Sequence, residues 1–257
     1  NEYIVVSLTT TPYRINQMRP VIDFILQEKL PLKTVYVNIP YIFKRDNLEY
    51  KIPEWLENND RITILRTKDY GPGTKLLGTL EEAQLPPDAI IITLDDDIKY
   101  PKNILLYLAY KAKSNPEVAA GLSGMNPHYN KQGVIITDSL TGIGLKFDKR
   151  PNASVAILEG FAGIAYRRHF FDNSIFALED APRECRNSDD LFISFYLAKQ
   201  GIVRQVLRNK YMSLERVKWN EAVGFNKDAL HQLSPTPAER HRACVVFMKS
   251  QDPNVKF

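Results

Sequence analysis

The sequence predicts an α/β fold with a mostly parallel central sheet flanked by helices, and three observations carry that expectation. Short apolar runs rich in β-branched residues alternate with helix-patterned stretches through the first half of the 257-residue chain, the pattern of a sheet covered on both faces. The runs are continuous rather than alternating, as strands buried on both faces require. The segments after the strands, Thr9–Arg14, Asp69–Lys75 and Asp95–Asp97, are polar, glycine-containing or acidic. Ligands gather at that carboxyl edge of a parallel sheet.

The elements follow in order. Tyr3 to Leu8 (YIVVSL) reads as the first strand, and Pro12 biases Thr11 away from helix to make Thr9–Tyr13 a loop. Met18, Val21, Ile22, Phe24, Ile25 and Leu26 give an apolar face to a helix over Asn16–Glu28. Thr34–Ile39 and Ile62–Leu65 are the second and third strands, a helix over Lys75–Gln84 follows a Gly-Pro-Gly loop, and Ala89–Leu94 is the fourth strand. Pro101 suits the first position of a helix reaching Lys113. In the less regular second half, Val118–Leu122 resembles a strand and Gly133–Lys146 a hairpin. Ile157–Tyr166 is an apolar segment punctuated by glycine. Asp189–Gln200 is a helix stopped by Gly201, Val203–Leu207 returns to the sheet, Tyr211–Pro237 is mostly loop, and Ala238–Lys249 is a last helix. No internal repeat or low-complexity linker divides the chain, so one domain over 1–257 is expected.

Composition bounds the classes. The chain is 44% hydrophobic and 25% charged, ordinary for a globular protein large enough to fold without staples. Its net charge of +4 comes without a Lys/Arg-rich run, which helps a phosphate-bearing ligand approach and argues against nucleic acid. Cys185 and Cys244 lie far apart and match no zinc spacing, so two free thiols are expected. No apolar stretch approaches the ~20 residues that span a bilayer. Asn152-Ala153-Ser154 fits a glycosylation triplet and by itself sets no compartment. A start at Asn1 with neither an initiator Met nor a signal-like segment suits a catalytic domain trimmed from a longer chain; a cytoplasmic location is favoured, with a secretory lumen as the alternative if an anchor was trimmed.

The most informative segment is Ile90 to Asp97 (IIITLDDD), an apolar strand that ends abruptly in carboxylates. Their repulsion disfavours the arrangement unless a cation or hydrogen-bond donors sit there. Alternate residues of an extended chain point the same way, so Asp95 and Asp97 are placed to share one ion. A hard divalent ion, Mn²⁺ or Mg²⁺, suits carboxylates and would hold the phosphates of a nucleotide diphosphate. A solvated acidic turn capping the next helix is the competing account.

An apolar strand ending in D-x-D within an α/β chain of this size resembles the GT-A glycosyltransferases. Ser7–Arg14 (SLTTTPYR) resembles the nucleotide-binding opening of family-2-like members, and Tyr70–Lys75 (YGPGTK) their loop that brings a lysine to the donor. Glu159–Gly163 (EGFAG) resembles the acceptor-side segment, and Asn187–Asp190 (NSDD) the acidic motif carrying the catalytic base of inverting members. The resemblance spans roughly residues 3–205 and implies a GT-A fold with an irregular C-terminal acceptor region. Residues 1–115 would bind the nucleotide sugar and 116–257 the acceptor.

The resemblance also implies roles. Asp97, ahead of Asp95, would contact the metal, with His231 as a further ligand from the late loop; His241 is a weaker candidate, and His128 and His169 have no argument. Asp96 would meet the donor ribose or sugar. Asp190, ahead of Asp189, would be the base, at a helix start where the dipole favours its charged form; the competing account is an N-cap, which Asn187, Ser188 and Asp189 all suit. Arg14 and Lys75, and less directly Arg204 and Arg208, would stabilise the departing diphosphate. Gly71 and Gly73 would let backbone approach the nucleotide, or simply form a tight turn. Thr9 and Asp69 would reach the donor, Gly160, Phe161, Ala162 and Gly163 would form the acceptor side, and Trp219 and Phe225 would stack on acceptor sugars. The partners implied are a nucleotide-sugar donor, commonly a UDP-sugar, and a glycan or glycoconjugate acceptor. Competing readings are a retaining transferase, a nucleotidyltransferase, and a silent sugar-nucleotide-binding domain. Thr-Thr-Thr-Pro-Tyr-Arg is a poor triphosphate cradle, which weakens the second.

Overall fold

The computed structural model describes residues 2–129, 135–136, 153–207, 215–216 and 235–254. Eight strands make the main sheet: β1 (Ile4–Thr9), β2 (Thr34–Pro40), β3 (Ile62–Thr67), β4 (Ile90–Thr93), β5 (Val118–Gly121), β6 (Ala153–Ser154), β7 (Ile164–Arg167) and β8 (Val203–Val206). Their spatial order is β6-β8-β5-β7-β4-β1-β2-β3. The β1–β2, β1–β4, β2–β3 and β5–β8 pairs are parallel, whereas β7 runs antiparallel to both β4 and β5. The sheet is therefore mostly parallel and Rossmann-like, with a reversed strand at its centre and a second, β6, antiparallel to β8 at the edge.

Helices cover both faces: α1 (Arg19–Gln27), α2 (Glu54–Glu57), α3 (Thr74–Glu82), α4 (Ile104–Ser114), α5 (Arg183–Arg186), α6 (Asp189–Lys199) and α7 (Pro237–Gln251). The apolar strands serve two cores at once. Ile4, Val6 and Leu8 of β1 pack with Val21, Ile22 and Ile25 of α1 and with Ile104, Leu105 and Leu108 of α4. Val5 faces the other layer, with Leu76, Leu77 and Leu80 of α3 and Leu191, Phe192 and Phe195 of α6. In β4, Ile90 and Ile92 face the first core and Ile91 the second. Each such side chain contributes about 1.5–3 kcal/mol on leaving water, so the period-2 split makes a one-residue slip of either strand prohibitive.

Ser7 breaks this pattern and sets the position of α3. Its buried hydroxyl donates to the Lys75 carbonyl (2.5 Å) and meets Thr79 Oγ1 at 2.7 Å. Asn38 Nδ2 donates to Ser7 Oγ at 2.9 Å, and Thr79 Oγ1 donates to Asn38 Oδ1 at 3.1 Å. A Cβ on Gly78 would lie 2.6 Å from Asn38 Oδ1, so only glycine lets the helix come this close. The first turn of α3, with Lys75, is thereby fixed against the ends of β1 and β2.

Several boundaries differ from the sequence expectation. Pro101 does not open α4; the helix begins at Ile104 after Asn103, which adopts a left-handed φ of 66°. Hydrogen-bonded turns over Arg14–Met18 precede α1, whose first turn holds Pro20. Gly201 has φ 72° and terminates α6 as expected. The expected hairpin over Gly133–Lys146 lies outside the described residues except Ile135–Ile136, which pair with His128–Tyr129. Of Tyr211–Pro237, Glu215–Arg216 pair antiparallel with Ile98–Lys99, and α7 begins under a capping box of Thr236 and Glu239.

The expectation of two free thiols is overturned: Cys185 and Cys244 form a disulfide, joining α5 to α7. Cysteine spacing reports on local motifs, whereas this pair is brought together by packing across 59 residues of separation.

Candidate active site

The carboxyl ends of β1, β2, β3 and β4 open into a cleft of ≈ 780 Å³. Its floor is the Asp95–Asp97 run after β4, and each aspartate is held differently. Asp96 is buried and accepts from Thr10 Oγ1 at 2.5 Å, with Arg14 Nη2 3.0 Å from its other oxygen. Arg14 Nη1 also reaches Asp97 Oδ2 at 3.2 Å. Asp95 Oδ1 accepts from Lys75 Nζ at 2.8 Å. The Tyr100 hydroxyl accepts from the Asp95 N–H (2.8 Å) and donates to the Phe161 carbonyl (2.9 Å), tying the acidic turn to the segment before β7.

The reversed strand makes this meeting possible. Ile164, the first residue of β7, pairs with Thr93, the last of β4. Residues 159–163 therefore arrive beside Asp95 from the second half of the chain. Asp190, in the first turn of α6, accepts from the Gly160 N–H at 3.0 Å. A Cβ on Gly160 would lie 2.7 Å from Asp190 Oδ1 and 2.8 Å from Lys75 Nζ, so a side chain there would displace both groups. Lys75 Nζ also stands 3.6 Å from Asp189 Oδ2 and thus bridges the β4 end to the α6 start.

Crowded carboxylates in a desolvated place resist ionisation. Burial raises Asp96 to about 6, with Arg14 opposing and Asp97 adding to the rise. Burial, followed by the charge of Asp189, pushes Asp190 well above the ordinary carboxylate range. Asp189 is raised by burial too, with Lys75 opposing. Burial works against the charge on Lys75, but Asp95, Asp189 and Asp190 together hold its pKa well above the usual value. Glu159, which also lines the cleft, is raised by burial while the Ser123 hydroxyl donates to it at 2.6 Å.

Of the residues singled out from sequence, Thr9, Arg14, Asp69, Gly71, Lys75, Asp95, Asp96, Asp97, Phe161, Asp190 and His241 line the cleft. The Thr9 hydroxyl is engaged by the Asn38 carbonyl (2.8 Å), and Asp69 shapes its loop by accepting from the backbone N–H of Lys44 and Gly71, both at 2.7 Å. Gly71 has φ 64°, and a Cβ there would lie 2.9 Å from the Arg186 carbonyl. Gly73 packs beneath the cleft, where a Cβ would meet Leu178 at 3.0 Å and Asp189 at 3.3 Å. Asp189, Gly160, Ala162 and Gly163 are buried behind the lining. Arg204 donates to the Ala156 and Ile202 carbonyls, and the His169 ring lies 3.1 Å from the Pro87 carbonyl. Trp219, Phe225, His231 and Arg208 lie outside the described residues.

Sequence reasoning missed Thr10, Tyr50, Tyr100 and, His241 apart, the wall supplied by α5 and α7. Tyr50 reaches the site across 40 residues to donate to the Thr10 carbonyl (3.0 Å), which no local pattern signals.

The donor set at the floor suits a hard cation. Asp95 and Asp97 keep 28% and 32% of their side chains exposed, and both line the cleft. Among the described residues no group of three His, Cys, Asp or Glu is placed to hold a metal. Mg²⁺-like ions are commonly held by one or two carboxylates plus substrate phosphates, and two carboxylates meet that requirement.

No family model and no curated protein sequence matches the chain. Among solved structures it is similar to GalNAc-T7, crystallised with UDP, GalNAc and Mn²⁺. The TM-score is 0.57 with 11% identity over 84% of this chain and 44% of that one. It is also similar to the Francisella tularensis 2-C-methyl-D-erythritol 4-phosphate cytidylyltransferase IspD, with a TM-score of 0.44 and 13% identity over 88% of this chain and 98% of that one. The second superposition is too loose to carry an argument, and the first speaks to fold. The chain spans under half the length of the GalNAc-T7 chain. Its architecture is the GT-A, Rossmann-like α/β fold expected from the sequence. No described helix is long and apolar enough to cross a membrane.

Proposed function

We propose that this chain is a metal-dependent glycosyltransferase that moves a sugar from a nucleoside diphosphate sugar, most simply a UDP-sugar, to a glycan hydroxyl with inversion. One observation carries the reading: the Asp95–Asp97 floor and the Asp190 carboxyl face one cleft, and the ammonium of Lys75 bridges Asp95 to Asp189, the neighbour of Asp190. A floor that takes a cation and diphosphate, next to a carboxyl that takes a proton, is the equipment glycosyl transfer needs. The GT-A fold supports it, and the UDP and Mn²⁺ in the GalNAc-T7 crystal support that donor and metal. The chain would act as one unit, with residues 1–115 as the donor half and 116–257 as the acceptor half.

Asp97 and Asp95 would hold Mn²⁺ or Mg²⁺, with His231 as a further ligand. The bound ion would supply charge neutralisation to the diphosphate. Arg14 and Lys75, whose partners are those same aspartates, add positive charge where the leaving group gains negative charge. Thr9, Asp69, Asp96 and the Gly71–Gly73 turn frame the nucleotide and sugar. Gly160 to Gly163, with Trp219, form the acceptor side.

In the transfer, the acceptor oxygen bonds to the anomeric carbon, the bond from that carbon to the phosphate oxygen breaks, and its electron pair leaves with the diphosphate. The hydroxyl proton passes to the free oxygen of Asp190, whose other oxygen is engaged by the Gly160 N–H. A carboxylate whose burial raises its pKa is the stronger proton acceptor once ionised.

The test is nucleoside diphosphate release from a panel of nucleotide sugars, with Mn²⁺ or with chelator. Metal-dependent release from one or two donors, lost in Asp97→Ala, is expected. Asp190→Asn should still bind the donor yet transfer at least about 100-fold more slowly. NMR of the product anomer decides inversion against retention. Pyrophosphate release from a nucleoside triphosphate and a sugar phosphate would instead make the protein a nucleotidyltransferase. Absence of metal-dependent binding of any nucleotide would remove the assignment.

A further inference from the structure

We propose that the cleft wall built by α5 and α7 is an anion subsite, in which Arg183, Arg186, Arg240 and His241 receive a carboxylate, sulfate or phosphate carried by the acceptor.

These four side chains come from two short stretches and all line the cleft. Glu184, the acid of α5, is not among the lining residues. Among the described residues, neither Arg183 nor Arg186 has a carboxylate within ion-pair distance. The cations feel one another: beyond burial, Arg183 lowers the pKa of Arg240, and Arg240 helps to depress His241 to about 4. His241 is therefore neutral near pH 7 and offers a hydrogen bond, while the arginines offer charge.

Like charges are not assembled on one wall without something to hold them. Here the Cys185–Cys244 bond, with 4.7 Å between its Cα atoms, joins the two stretches, and Arg240 Nη1 donates to the Pro235 carbonyl. Cys185 sits between Arg183 and Arg186, and Cys244 lies one turn beyond Arg240 on α7. Burial of Cys185, Cys244, Val245 and Met248 adds apolar packing to the clamp. A guanidinium cluster fixed in this way is organised for an oxyanion before the ligand arrives.

The assignment to the acceptor rests on the transferase reading. At the floor, Arg14 and Lys75 already stand with Asp95, Asp96 and Asp97, where the diphosphate belongs. By contrast, α5 and α7 pack on α6, the helix that carries Asp190, the group that would meet the acceptor hydroxyl.

The experiment needs neither turnover nor a known acceptor. The oxidised protein is treated with phenylglyoxal, and modification of Arg183 and Arg186 is followed by peptide mass spectrometry. It is done alone, with inorganic sulfate, with chloride at equal ionic strength, and with UDP and Mn²⁺. Sulfate is expected to slow modification of both arginines at least threefold, chloride and UDP–Mn²⁺ by less than half as much. In parallel, sulfate should raise the Tm of the wild type above the chloride control, and that difference should vanish in R183Q/R186Q. Equal protection by UDP would make the wall a donor-phosphate site and overturn the acceptor assignment. Equal protection by sulfate and chloride would overturn the subsite itself. Neither outcome bears on the donor-release test, so this inference and the transferase reading fail separately.

Discussion

Replacing Lys75 by methionine isolates the ammonium that joins the two acidic elements. Its side chain is 8% exposed, as is that of Asp189, while Asp95 is 28% exposed. Removal leaves Asp189 Oδ2 buried without a counter-charge, and that atom has no hydrogen-bond partner. Breaking one side of a buried ion pair costs about 3–5 kcal/mol. The lower figure applies here, because Asp95 reaches water and Asp189, already raised by burial, can take a proton instead. A chain of this length unfolds with an entropy of roughly 0.5 kcal/mol/K, so about 3 kcal/mol lowers Tm by about 6 °C. The sign with pH follows from the carboxyl. Asp189 has a folded pKa above its unfolded one, so its contribution is favourable in acid and is lost as pH rises through the folded value. Without Lys75 that rise steepens, and the deficit should be larger at pH 8 than at pH 5. Adding Asp189→Asn should restore at least half of it at pH 8. Thermal unfolding by circular dichroism across this range is the assay. A variant within a degree of wild type at pH 8, or a deficit that grows on acidification, would refute the account of Lys75 as the compensating charge.

Two further outcomes follow from the same structure. Cys185→Ser with Cys244→Ser should lose about 4 kcal/mol of stability, the chain-entropy value for a closed loop of this size. Reductant should bring wild type down to the variant's Tm, and thiol titration of the oxidised protein should find no free thiol. Glu159→Gln should stabilise the protein at pH 8 and not at pH 4, measured by denaturant unfolding. Burial holds the folded pKa of Glu159 above its unfolded value, so the acid's contribution is lost as pH rises through it, whereas Gln keeps the Ser123 contact at both pH values.

Much of the fold was legible because burial on both faces leaves a strong trace. The runs YIVVSL and AIIITL announce β1 and β4, and the carboxylates placed directly after the second announce the floor. Gly201 marks the end of α6 through its left-handed φ. The direction of β7 was not legible, since a four-residue strand pairs equally well either way in sequence. Thr9 and Thr10 could not be ranked either. Neighbours in extended chain face opposite ways, and it is Thr10 that reaches Asp96 while Thr9 turns to Asn38. The α5–α7 wall combines a four-residue helix with a helix beginning at Pro237, and only the tertiary structure joins them. The Thr236–Glu239 capping box was a readable start signal for that last helix.

The reversed central strand gives the site a property that no single residue carries. Strand pairing advances in steps of two residues if sidedness is kept, about 6.8 Å along an antiparallel partner. One such step of β7 against β4 would move the Gly160 amide out of reach of Asp190 and the Phe161 carbonyl away from Tyr100. Ile164 and Tyr166 lie in one core and Ala165 in the other, and this division of apolar side chains holds β7 on its proper rung. β7 thus works as an alignment gauge between the two halves of the chain. Substitutions confined to its greasy interior can detune the chemistry while leaving every polar group of the cleft intact.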